Sequence, residues 1–336
     1  MEMLSKEFET ALSRIEVSPD KQKRAQQAHT EVRGVLEADE ALKGWGIETV
    51  LIGSYARHTS IHPGKDVDVF SKLETLDTQE SPSTVYDVMR DVLVRQYGER
   101  AQPQHRSIKI LFDSDDGFSV DAVPAVHLGE RWGIPNRDVD SWGGANRWVE
   151  TDPEMLTALT SDFNKLVEIS GQGAYVPVVK LVRQTRRFHL EDAKPGGLYF
   201  EIMTHWLFAG GLTGDSWAEL FARTLRGVHE ALIRAQVDPV LDPVLDRPFE
   251  PQLEQSELKE AEAIYERLAS DGEAALESDV CAAAILWRSI LGTNERGQVF
   301  PLPEGCDEYG RKIAPITAVT GRGSREASSF GACWRV

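Results

Sequence analysis

Three observations predict an α+β fold in two lobes. A β-branched run, IETVLI, ends in Gly53-Ser54 and leads through a helix-like YARHTS and a loop at Pro63-Gly64 into the strand DVDVF. Two more short strands, SIKILF and FSVDAVPAV, follow across the acidic turn DSDDG, whose Asp-Gly end is a hairpin signal. From residue 151 the pattern turns almost wholly helical. A single core stops growing at roughly 250–300 residues, so 336 residues suit a sheet lobe over 1–150, a helical lobe over 151–303 and a flexible tail over 304–336.

Each element has a local cause. Residues 4–17 and 20–38 read as helices, the second opened by Ser18 as N-cap and Pro19 in the first turn, and Gly44 and Gly46 then break the pattern. Val85, Val88, Met89, Val92 and Leu93 line one side of a helix over 83–97 that packs across the sheet. In the second lobe the helical stretches are TDPEMLTALTSDFNKLVEIS, VPVVKLVRQTRRFHL, GLYFEIMTHWLFAG and SWAELFARTLRGVHEALIRA, with a last pair over 255–292. The prolines of DPVLDPVLDRP preclude a regular helix and make it a connector.

Composition narrows the function. The chain is 41% hydrophobic and 27% charged, as ordinary globular proteins are. It has no apolar run long enough to span a bilayer and begins with a polar, acidic segment, so a cytoplasmic protein without membrane partners is expected. A net charge of −17 argues against gripping long nucleic acids, which needs a Lys/Arg excess. Single nucleotides remain open, because metal ions can reverse the field locally. Cys281, Cys306 and Cys333 share no Cys-x-x-Cys spacing; neither a zinc site nor a disulfide is expected, and Cys281 reads as a buried small apolar residue.

The chemistry concentrates in carboxylates. A strand repeats every two residues, so Asp66 and Asp68 project from one face while Val67 and Val69 enter the other. Like charges this close repel unless a cation lies between them, and oxygen-only ligands suit Mg2+ or Mn2+. Alone, an Asp-x-Asp pair more often marks a solvated strand face. Gly53-Ser54, at a strand-to-helix turn suited to phosphate, and Asp121, inside an otherwise apolar strand, add to it. Three carboxylates on neighbouring strands can hold two ions in the arrangement that clamps both oxygens of an in-line phosphoryl displacement. An N-cap role for Ser54 and an arginine partner for Asp121 are the plainer alternatives. His58, His62 and His105 read as loop or surface residues, and Trp142 and Trp148 as core caps near the lobe junction.

With these residues in place, GSYARHTSIHPGKDVDVF and the later VDAVPA resemble the Gly-Ser, Asp-x-Asp, Asp signature of the polymerase β nucleotidyltransferase superfamily. RWGIPN, WVETDPEMLTAL, VVKLVRQTRRF with GLYFEIM, and AAAILWRSILG with its later VFP are similar to the bacterial CD-NTases, relatives of cyclic GMP-AMP synthase and oligoadenylate synthetase. The resemblance extends to about Pro303. It implies a two-lobed polymerase β-like fold that joins nucleoside triphosphates into a cyclic di- or oligonucleotide second messenger in antiphage (CBASS) signalling, with an effector answering the product and a regulatory protein as a further partner. Asp66, Asp68 and Asp121 would hold two ions, Mg2+ or Mn2+; Gly53 and Ser54 would bind phosphates; Lys180 would reach the phosphates from the helical lobe; Tyr199 would stack on a base.

Lys180, Gln184 and Arg187 share a helical face opposite Val182, which suits either phosphate contact or a solvated stripe. Tyr199 could equally be a core tyrosine, and Leu198 stands where the family often has serine. Two other functions compete: an RNA-extending transferase of CCA-adding or poly(A) type, against which acidity and the missing basic domain weigh, and a silent nucleotide-binding scaffold, against which the three carboxylates weigh.

Overall fold

The computed structural model describes residues 4–112, 117–136, 147–249 and 253–313. The turn residues 113–116, Trp142 and the tail from 314 lie outside them. Two helices open the chain, α1 (Ser5–Ile15) and α2 (Pro19–Ala38), the second capped as its sequence predicts by the Ser18 hydroxyl, which accepts from the Lys21 N–H. A short α3 (Glu40–Gly44) leads into β1 (Ile47–Ile52), the single-turn α4 (Gly53–Ala56), β2 (Asp66–Asp77) and α5 (Pro82–Tyr97). Then come β3 (Ala101–Pro103), β4 (Ile108–Leu111), β5 (Ser119–Leu128), β6 (Arg131–Pro135) and β7 (Trp148–Thr151).

These strands form one mixed sheet in the order β1-β2-β5-β4-β3, with β6 and β7 continuing from the far end of β5. β2 and β5 run parallel and every other pair is antiparallel. The alternation on β2 and β5 drives Val67, Val69, Val120 and Ala122 into a core that they share with Val32 and Leu36 of α2 and Val85, Met89 and Leu93 of α5. Trp148 closes this core, as its sequence reading has it. The strands β3, β6 and β7 have no alternation long enough to be read in the sequence.

The helical lobe comprises α6 (Pro153–Leu166), a small hairpin of β8 (Glu168–Ile169) and β9 (Gln172–Gly173), α7 (Tyr175–Leu190), α8 (Gly197–Ala209), α9 (Trp217–Ala235), α10 (Gln255–Glu277) and α11 (Val280–Leu291), followed by the short pair β10 (Thr293–Asn294) and β11 (Gly297–Gln298). The helix expected through residue 170 stops at Leu166, because Ser170 and Gly171, both at positive φ, turn the chain back on itself. A second core lies here, centred on Phe200, Phe221, Tyr265, Trp287 and Phe300. α1 belongs to it: the Phe8 ring packs edge-on to Trp287 at 5.1 Å and Phe300 at 5.0 Å. The chain thus begins in the helical core before it builds the sheet.

One expectation is overturned near the end. Cys281, in the first turn of α11, forms a disulfide with Cys306, their Cα atoms 5.3 Å apart. Cys281 is buried as expected, but the turn after Pro303 folds back onto α11, a proximity that a sequence separation of 25 does not reveal. No helix among the described residues is long and apolar enough to cross a membrane.

Candidate active site

The sheet register assembles the carboxylates. Asp68 pairs with Asp121 across the parallel β2–β5 ladder, and Asp66 pairs with Ser119, whose hydroxyl donates to Asp66 Oδ1 at 2.9 Å. All three aspartates therefore stand on the sheet face opposite the valine core. On the other side of β5, Lys109 faces Asp121 across the β4 ladder, and its Nζ lies 3.8 Å from Asp66 Oδ1. The sequence reading missed this lysine; strand alternation in SIKILF was the available clue.

Electrostatics here favour a bound cation. Burial, then the neighbouring Asp121 and Asp66, push the Asp68 carboxyl up to about 7. Burial likewise raises Asp121, to about 6, against the opposing pull of Lys109. Asp121 Oδ1 is sealed from solvent and accepts no hydrogen bond among the described residues, a cost that a cation would relieve. Asp66 instead turns outward, its side chain 59% exposed, and among the described residues no three His, Cys, Asp or Glu side chains close into a ready-made ligand cluster. Two inward carboxylates, one with an orphaned oxygen, and a third at the rim nevertheless suit hard divalent ions with open coordination positions.

Gly53 sits against this group. Its φ is +72°, and a Cβ there would come within 2.8 Å of the Asp68 carboxyl carbon. The glycine is thus required twice, by backbone conformation and by the approach of the carboxylate. From it α4 makes one turn, after which the N–H groups of Thr59 and Ser60 both donate to the Ser54 carbonyl, at 2.9 and 3.0 Å.

Gly53, Ser54, Asp66 and Asp68 border a cleft of about 430 Å3 between the lobes. Among the described residues its cations are Arg57 and Arg183, both held by the buried Glu201. Burial pushes the Glu201 carboxyl up, but Arg57 and Arg183 outweigh it and hold it below the usual range. The sequence reading found neither arginine, although Arg57 lies inside the quoted YARHTS and Arg183 one turn beyond Lys180.

Lys180 and Tyr199 do not border this cleft. Lys180 Nζ donates to Glu16 Oε1 at 2.5 Å, and the side chain lines a second cavity behind α4 with Tyr55 and His58. Gln184 donates to the carbonyls of Leu291 and Thr293, and Arg187 to that of His62, so the polar face of α7 is spent on internal partners and is not a solvated stripe. Tyr199 is 7% exposed, with its ring tilted against Phe249 at 6.1 Å. The residue before it, Leu198, reaches the cleft instead, beside Leu156, Val244 and Phe249. His62 is also drawn inward, 9% exposed and bound to Glu295 at 2.8 Å, not left on the surface.

Residues 1–164 match the SMODS family, the Second Messenger Oligonucleotide or Dinucleotide Synthetase domain. A cyclic AMP-AMP-AMP synthase from an Acinetobacter species is 25% identical over 312 residues, 85% of this chain and 83% of that protein. The structure of E. coli MS115-1 CdnC with ATP superposes with a TM-score of 0.67 at 15% identity, over 88% of this chain and 98% of that one. CdnC in complex with HORMA-deltaN gives 0.66 at 16% over the same shares. The fold is that of the polymerase β-type nucleotidyltransferases. Within that class, the chain is similar to the bacterial CD-NTases over most of its length, and its first 164 residues match the SMODS domain.

Proposed function

We propose that this nucleotidyltransferase joins nucleoside triphosphates into a cyclic di- or oligonucleotide by in-line attack of a ribose hydroxyl on an α-phosphate, releasing pyrophosphate. The observation that carries the reading is the Asp68–Asp121 pair, set side by side by the ladder, with an oxygen of Asp121 buried and unpartnered among the described residues and Gly53 against Asp68. Asp66, Asp68 and Asp121 are the residues that would hold two divalent ions, Mg2+ or Mn2+. Such ions neutralise the triphosphate and make a hydroxyl nucleophilic at neutral pH.

The remaining roles fall to the chain itself. Gly53 and Ser54 seat the phosphates, and Arg57 and Arg183 supply fixed positive charge to them, pre-oriented by Glu201. Leu156, Leu198, Val244 and Phe249 exclude water from the nucleoside end. Tyr199 supports the cleft wall through Phe249, whereas Lys180 and Glu16 belong to the second cavity.

The product belongs to antiphage signalling of the CBASS kind, through an effector that answers it. The CdnC neighbour that binds a HORMA protein supports a regulatory protein partner here as well. Long nucleic acid is not required, given the net charge of −17. Incubation of the pure protein with the four labelled nucleoside triphosphates and Mg2+ or Mn2+ tests the reading. It expects phosphatase-resistant cyclic products that Asp68→Asn abolishes; linear RNA extension, or no product with any activator, overturns it.

A further inference from the structure

The connector DPVLDPVLDRP is a strap fixed across the mouth of the cleft. Its ends pair: the Phe249 N–H donates to the Val240 carbonyl at 2.8 Å, and the Asp242 N–H to the Arg247 carbonyl at 2.8 Å. The sheet lobe holds it through Arg131 on the Val244 carbonyl at 2.9 Å and Arg247 on the Glu150 carbonyl at 3.0 Å. The helical lobe holds it through Trp206 Nε1 on the Leu241 carbonyl at 2.8 Å. A hairpin tied to both lobes in this way is positioned before any ligand arrives, which is what a reader of fine chemical differences needs.

Two strap residues, Asp242 and Val244, and Phe249 directly after the strap border the cleft. The cleft is lined by two kinds of group: the carboxylates, Gly53-Ser54 and two arginines, and the apolar side chains of Leu156, Leu198, Val244 and Phe249. A nucleotide whose phosphates take the first set places its base against the second. The polar groups there are Thr151, Asp152 and Asp242. Asp152 is engaged as the cap of α6, its Oδ1 accepting from the Met155 N–H at 2.9 Å. Asp242 shares its hairpin with the apolar wall.

The Asp242 carboxylate is half occupied. Oδ1 accepts from the N–H groups of Val244 at 2.8 Å and Leu245 at 3.0 Å, which fixes the side chain, while Oδ2 takes no hydrogen bond among the described residues. One carboxylate oxygen held at an apolar wall is a monodentate acceptor. It matches a single exocyclic amino group, whereas the adjacent N–H pair of guanine calls for two oxygens and the keto edge of uracil repels it. The extent of apolar wall favours a purine.

We propose that Asp242 sets base choice in this enzyme, its free Oδ2 accepting the 6-amino group of adenine. This rests on the cleft being the nucleotide site. A hydrogen bond to a charged group discriminates by about 10–100-fold, and the expected preference is ATP first, with GTP and UTP weaker.

The test compares the α,β-methylene triphosphates of adenosine and of purine riboside, which differ only by the 6-amino group, by calorimetry with Mg2+. Wild type should bind the adenosine compound at least tenfold tighter. Asp242→Asn keeps an oxygen for Val244 and Leu245 but presents an amide where Oδ2 stood, so it should fold as wild type and bind the two compounds within about twofold of each other. Equal binding by wild type, or a variant that keeps the tenfold gap, overturns the role of Asp242 while leaving the nucleotide site standing. If neither compound binds wild type, the nucleotide site falls and this inference with it.

Discussion

Arg57 Nε donates to Glu201 Oε1 at 2.6 Å, with side chains only 6% and 2% exposed, and the pair joins the turn after α4 to helix α8 of the other lobe. Thr59 Oγ1 also donates to this carboxylate, at 3.2 Å to Oε2, and Arg183 closes on Oε2 at 3.1 Å. One buried anion thus orients both cations of the cleft, since a guanidinium bound on one edge keeps its plane and direction.

Glu201→Ala leaves Arg57 buried without a counter-charge. Breaking one partner of a buried pair costs about 3–5 kcal/mol, so urea unfolding should show a loss of that size. A loss below about 1 kcal/mol would mean that water or another carboxylate replaces Glu201.

Asp66→Asn or Asp68→Asn should lower turnover at least a few hundredfold, equivalent to several kcal/mol of transition-state stabilisation. Asn at position 68 removes a crowded charge, so the fold should persist. Near-normal activity of either variant with Mg2+ would refute the two-ion assignment.

The raised carboxyls predict how stability depends on pH in chelator-treated protein. Asp68, at about 7, and Asp121, at about 6, hold their protons in the folded state well above the pH at which the unfolded chain releases them. Their contribution is therefore full below about pH 4 and fades as pH rises through 6 and 7, by ~4 kcal/mol at most for Asp68. Relative to wild type, Asp68→Asn should gain stability between pH 5 and 8, and added Mg2+ should restore wild type at pH 8. A difference between the two proteins that stays flat over this range would contradict the burial of that charge.

Arg183→Ala should weaken triphosphate binding whatever the base, by about tenfold or more, because it removes a fixed cation from the cleft. Lys180→Ala should act mainly on stability by releasing Glu16. Triphosphate affinities of the two variants distinguish these; the reverse order would show that Lys180 swings into the cleft when nucleotide binds.

Reduction of Cys281–Cys306, or Cys306→Ser, should lower stability by about 2–4 kcal/mol, the usual effect of opening a loop of this length. Unfolding with and without reductant measures it, and unchanged stability would show that the turn after Pro303 holds to α11 without the bond.

By itself the sequence determined what local periodicity can encode. The period of a strand put Asp66 and Asp68 on one face with Val67 and Val69 on the other, set Asp121 opposite its own apolar neighbours, and Gly53-Ser54 marked the turn beside them; the parallel register then brought Asp121 alongside Asp68. Ser18 and Pro19 likewise started α2 where they stand. The tertiary structure decided which cations face those carboxylates. Lys180 and Arg183 are three residues apart on one helix, yet only Arg183 reaches the cleft, because Glu16 claims the first and Glu201 the second. Glu16 is 164 residues from Lys180, and Glu201 is 144 from Arg57. Pairings at such distances leave no spacing to read, since they depend on how two separately built cores come to rest against each other. For the same reason a proline-rich connector became part of the site and two distant cysteines became a disulfide.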